Sequence, residues 1–184
     1  MTFISETFAR DNGLSPDQPG RLGTFLGFTE DTVRHDLLSA LHAIGSPAVV
    51  TVVIEKLHPS DGQTPREGWT GPHVYWRQVG GGDLWSLLLQ SNAVVGMRSM
   101  ALLEAGLLGC RVASYQPNLI GDRQSAAVRF GVAQRLDRAQ DLQAWLLTSL
   151  SAETRYLSPP RDLPFIRSDA AERVADLVLS GSDV

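Results

Sequence analysis

The sequence predicts an α/β fold: a single Rossmann-like domain, with an open parallel sheet of about six strands and helices on both faces. Three observations predict it. Short Val/Ile-rich runs alternate with longer helical patterns along most of the 184 residues. Ala48–Glu55 is a nearly continuous apolar run, the signature of a parallel strand covered on both faces. Right-handed crossovers then restrict the winding.

Each element has its own signal. Thr2–Ser5 opens with a strand-like run, and Asp11–Phe28 is a polar, Gly/Pro-bearing loop. Thr29 can cap a helix through its hydroxyl, with Val33, Leu37, Leu38, Leu41 and Ile44 on one face and Gly45 as its stop. The second strand is Ala48–Glu55, and His58–Pro72 is loop. Val74–Val79 is a third strand, broken by Gly80–Gly82, and Asp83 caps a short helix from Leu84 to Gln90. Ala93–Met97 is a fourth strand. Ser99–Leu108 is a helix apolar nearly all round, hence buried, and Gly109 ends it. Arg111–Tyr115 is a fifth strand, Asp122–Phe130 a helix, and Val132–Leu136 a short sixth strand. Asp137 caps an amphipathic helix carrying Leu142, Trp145, Leu146 and Leu150. The expected division is a Rossmann-like domain over 1–157, then 158–184 as a Pro-rich linker with a last helix opening at Ser168 and Asp169.

Composition excludes several classes. The net charge of −4, with no basic stripe, argues against a partner held by nucleic-acid phosphates. One cysteine, Cys110, excludes an internal disulfide and a Cys-rich zinc site, and reads as a small core residue. Apolar runs stay far below the roughly 20 residues of a membrane span. The first residues, MTFISETFARDNG, lack the basic and apolar regions of a signal peptide, so the expected location is cytoplasmic.

Ligands of open α/β sheets bind at the carboxyl ends of the strands, which leaves three places. At the end of the second strand, Pro59 holds His58 extended; His58 can donate to a phosphate or protonate a leaving one, or it can be a loop histidine bonded to backbone. After the fourth strand, the turn at Arg98 and Ser99 opens the buried helix. Free amides there, the helix dipole and the Ser99 hydroxyl make an anion site. Glu104, one turn inside, leans back toward that mouth; it serves sugar hydroxyls or forms an ion pair with Arg98 or Arg111. After the third strand, Gly80, Gly81 and Gly82 let backbone approach a flat ligand, or are plain turn residues. A metal on His58, Asp61 and His73 lacks any recognised spacing, and no metal or other cofactor is expected. Trp69, Trp76 and Trp85 read as a packing cluster.

TFISETFARD, LGFTEDTVRHDLLSAL, VVIEKLHPSD and SNAVVGMRSMALLEAGLLGCRVASYQP together resemble the C-terminal half of a GT-B glycosyltransferase. The type is that of the bacterial polysialyltransferases and CDP-glycerol glycerophosphotransferases, and nucleotide-sugar 2-epimerases share the half-fold. The resemblance runs from about Thr2 to Leu150. Its specific parts are His58-Pro59 and the Ser-x-x-x-x-Glu-Ala element of Ser99–Ala105. It implies donor-nucleotide binding: His58, Pro59, Arg98, Ser99 and Met100 at the phosphate, Glu104 at the ribose, and Gly80, Gly81 and Leu84 beside the base. His58 would be the catalytic residue. The implied substrate is a nucleotide-activated sugar or a CDP-polyol, used in surface polysaccharide synthesis without a metal. Arg98 departs from the family pattern, which has a small residue there; it either adds a phosphate contact or fills the site. The family's acceptor half has no counterpart in these residues. The implied partner is therefore an acceptor subunit or a second copy of the chain. The other readings are a non-catalytic interaction module on the same fold and an epimerase-like enzyme.

Overall fold

The structure is a computed structural model that describes residues 1–46, 48–121 and 124–151. The chain runs β1 (Thr2–Ile4), α1 (Phe8–Asn12), β2 (Gly13–Ser15), β3 (Gln18–Pro19), α2 (Glu30–Ile44), β4 (Thr51–Lys56), β5 (Glu67–Trp69) and β6 (Val74–Val79). It continues through α3 (Leu84–Leu89), β7 (Val94–Gly96), α4 (Met100–Leu107), β8 (Val112–Tyr115), α5 (Ala126–Arg129), β9 (Gln134–Leu136) and α6 (Ala139–Ser151).

The main sheet has seven strands in the order β5-β6-β4-β1-β7-β8-β9. All neighbours pair parallel except β5, which runs antiparallel to β6. The α/β class and Rossmann-like parallel sheet are therefore as expected, with one strand more than six. The extra strand lies inside His58–Pro72, where Gly and Pro indicate loop. Cross-strand pairs hold it on the open edge of β6. Glu67 stands opposite Arg77 with 3.4 Å between their charged atoms. Trp69 stands opposite Tyr75, ring centroids 5.3 Å apart. Asp11–Phe28 also holds more structure than loop: the end of α1 and the β2–β3 hairpin.

Helices α2 and α6 cover one face over a core that includes Phe3, Phe28, Val53, Leu37 and Leu142. Helices α3, α4 and α5 cover the other, around Leu88, Leu102, Val94 and Ala127. Thr29 caps α2, and Thr29 and Thr32 close a reciprocal capping box. Asp83 caps α3, Ser99 caps α4 and Ser125 caps the short α5, which begins later than the expected Asp122.

Three further expectations are corrected. β4 begins at Thr51, and Val49, Val50 and Val52 are 61%, 50% and 44% exposed, so this run is not covered on both faces. The β4–β6 connection carries β5 and loop, so among the described residues no crossover helix follows β4 to cover Val52. Asp137 does not cap α6. Its carboxylate accepts two bonds from Arg135 Nε at 2.8 and 3.0 Å, and the Arg138 carbonyl takes the first helical amide, that of Leu142. Trp69 and Trp76 lie on adjacent strands one register step apart, so they point to opposite sheet faces, and no three-tryptophan cluster forms. The expected linker and last helix over 158–184 lie outside the described residues. Among the described residues no helix is long and apolar enough to cross a membrane.

Candidate functional site

Numbering the six parallel strands along the chain, their spatial order is 3-2-1-4-5-6, and it reverses between β1 and β7. At such a reversal the outgoing connections depart to opposite faces and leave a crevice above the strand ends. Here the crevice is a cavity of about 370 Å³. Its walls come from the ends of four strands: Ser5 after β1, His58 and Pro59 after β4, Leu84 after β6, and Ser99 after β7. A larger cleft of about 610 Å³ runs between β8, β9 and α6, but none of its lining residues belongs to a loop after a strand's carboxyl end.

Seven of the residues singled out from sequence line the 370 Å³ cavity together: His58, Pro59, Gly82, Leu84, Ser99, Met100 and Glu104. Ser99 Oγ accepts from the Ala101 amide at 3.2 Å, which leaves its hydroxyl hydrogen free to donate. The Ser60 amide donates to His58 Nδ1 at 3.2 Å, so a neutral His58 ring carries its proton on Nε2. Ser60 in turn anchors Arg10, whose guanidinium donates to the Ser60 carbonyl at 2.6 Å. The loop behind the imidazole is thus tied to α1.

Glu104 forms no ion pair with Arg98 or Arg111. Its Oε2 accepts from the indole Nε1 of Trp85 at 2.8 Å. Arg98 does not line the cavity; its guanidinium stacks over Phe8, 5.8 Å from the ring centroid. Gly80 and Gly81 also stand outside. The Gly80 carbonyl accepts from Lys56 Nζ at 2.6 Å, and the member of the triplet that reaches the wall is Gly82, at φ +92°. His73 sits just before β6, at the amino edge of the sheet, packed against Gly45 and edge-on to His42. His58 and Asp61 lie beyond the carboxyl end of β4, so the three do not converge. Among the described residues no group of three metal-ligating side chains exists.

Two charged residues of this corner were given no role from sequence. Lys56, the last residue of β4, lines the cavity and brings its one ammonium. Glu6, two residues past β1, turns its carboxylate to the β7–α4 turn and accepts from the Arg98 amide at 2.6 Å. Burial pushes Glu6 up to about 7, against the amides of Arg98, Ser99 and Met97, which favour the charged form. The turn amides expected to be free are therefore partly committed, those of Arg98 and its neighbours Met97 and Ser99 to Glu6, and that of Ala101 to the Ser99 side chain. The Ser5-Glu6 pair after a short strand could have flagged Glu6, because an acidic residue at a strand's carboxyl end stands where sites form.

The cavity can hold an anion at Ser99, with the α4 dipole and Lys56 favouring negative charge, and can offer it a proton from His58 Nε2. No family model matches the chain, and no curated protein matches it significantly.

Proposed function

We propose that this domain binds a nucleotide-activated donor and serves as the donor half of a GT-B-like sugar or polyol-phosphate transferase, acting with an acceptor-binding partner. One observation supports it most: Ser99 at a helix start and His58 at a neighbouring strand end line a single cavity where the strand order reverses. In this reading the Ser99 hydroxyl and the α4 dipole take the donor phosphate. His58 Nε2–H donates to the phosphate oxygen that gains charge as the activated bond breaks, and Lys56 adds positive charge nearby. In this reading these groups, rather than a metal, offset the charge on the leaving phosphate.

Calorimetric titration with CMP, CDP, UDP and GDP tests the proposal. At least one is expected to bind, and Ser99→Ala is expected to weaken it about tenfold, the cost of one hydrogen bond to a charged group. No binding at millimolar concentration by the folded chain sinks the proposal.

A non-catalytic interaction module is the second reading. It is favoured by Glu6, whose carboxylate already occupies an amide of the turn that an incoming anion would use. Under that reading none of the four nucleotides binds, and Glu6→Gln does not create binding.

A further inference from the structure

The geometry points to Trp85 as a nucleobase platform, held in place by Glu104, so that the ligand of this cavity is a phosphate ester bearing an aromatic base rather than a simple sugar or polyol phosphate. The inference rests on the nucleotide reading above and specifies its substrate class.

Trp85 stands in the first turn of α3. Its backbone is fixed by the Asp83 cap, which accepts the Trp85 amide at 3.1 Å. Its indole is fixed at the other end by the 2.8 Å bond to Glu104 Oε2 on α4. A tryptophan pinned at backbone and ring tip would ordinarily be expected in a core, yet this one is 56% exposed. The neighbour before it, Leu84, and its partner Glu104 both line the cavity, and Met100 on the rim is 57% exposed. Trp85 does not itself line the cavity, but a solvent-facing indole bonded to Glu104 of its wall has the attributes of a stacking surface. Its orientation is set in advance, and the water over it is released when a flat ring covers it.

The spacing fits the same ligand. Ser99, the N-cap of α4, and Glu104 are five residues apart, a backbone rise of about 7.5 Å that the backward lean of the Glu104 side chain shortens. That is the scale of a nucleoside between its 5′ phosphate and its base. An anion at Ser99 therefore brings an attached base to the level at which Glu104 holds the indole. Glu104 is then a positioning residue, acting through Trp85, which differs from the ribose contact that the family resemblance implies for it.

The test compares CDP, UDP, GDP and ADP with pyrophosphate, by calorimetry and by tryptophan fluorescence. The best-bound nucleoside diphosphate is expected to quench fluorescence, and pyrophosphate to bind without quenching. Trp85→Ala is expected to weaken the nucleotide about tenfold or more and leave pyrophosphate unchanged, while Trp85→Phe keeps most of the affinity. Glu104→Ala is expected to weaken the nucleotide in the wild-type background but not further in Trp85→Ala. Glu104→Gln retains affinity, because its amide oxygen still accepts the indole N–H. The platform is overturned if Trp85→Ala leaves nucleotide binding unchanged while Ser99→Ala weakens it; the cavity then stands without a base site. Equal loss of nucleotide and pyrophosphate in Trp85→Ala also overturns it. If Glu104→Ala weakens binding in the Trp85→Ala background too, Glu104 touches the ligand itself and its positioning role falls. A wild-type protein that binds neither nucleotide nor pyrophosphate removes the nucleotide reading altogether, and the platform with it.

Discussion

Gly106 shows how one residue sets the packing behind the site. It lies within α4, and a Cβ there would meet Val132 Cβ at 2.6 Å and the Val132 carbonyl oxygen at 2.9 Å. Helix propensity alone favours Ala over Gly by about 1 kcal/mol. Overpacking against backbone opposes it by roughly 1–3 kcal/mol. Gly106→Ala is expected to destabilise the domain despite the better helix former, read as a lower denaturant midpoint; an unchanged or raised midpoint contradicts the contact. Glu55 makes a second case. It is fully buried in β4, and Arg34 donates to it at 2.6 and 3.0 Å while Gln78 donates at 3.2 Å. Arg34→Met strands that carboxylate, at a cost of about 3–5 kcal/mol. The double variant Arg34→Met/Glu55→Leu is expected to recover much of the loss in the same denaturation series. Neither residue was legible in the sequence. Gly106 resembles any tolerated helical glycine, and the partner of Glu55 lies 21 residues away on another element.

At the scale of elements, local chemistry predicted what local chemistry controls. Thr29 and Asp83 were each identified as caps, and each accepts an amide of its helix's first turn, whereas Asp137 was expected to cap α6 and does not. Thr29→Ala is expected to lower stability by about 1 kcal/mol, measured by thermal melting, and Thr29→Ser to preserve it. A Thr29→Ala protein that melts like the wild type would mean that packing against α6 alone holds α2. Elements whose existence depends on a neighbour were missed. β5 forms because the edge of β6 offers unpaired backbone groups, while its own Glu-Gly-Trp sequence carries little strand preference. The exposure of Val52 has the same origin, since a Val-rich run does not reveal whether the following crossover contains a helix.

At the scale of the whole molecule, Glu6 couples the site to pH. Its carboxyl is raised from 4.5 to about 7 by burial. Between those values the folded state holds more protons than the unfolded state, so stability falls as pH rises from about 4.5 to about 7. Burial raises Glu30 in the same direction and adds to the slope. Glu6→Gln is expected to flatten the stability profile between pH 5 and 8 and to be most stabilising, relative to wild type, at the alkaline end. Chemical denaturation across that range checks it, and a variant that keeps the full wild-type slope would place the titration elsewhere. The same residue separates the two functional readings, because Glu6 and a ligand phosphate would draw on the same turn amides.

The sequence by itself determined the alternation of strands and helices, the caps at Thr29 and Asp83, and the strand ends at which His58 and Ser99 stand. These follow from periodicity and short-range hydrogen bonding, which act over a few residues. Only the tertiary structure decided which of those ends share a cavity. It turned Arg98 onto Phe8, gave Glu104 to Trp85 and carried His73 to the opposite edge of the sheet. Strand order and side-chain direction settle such matters, and both depend on contacts between residues far apart in the chain.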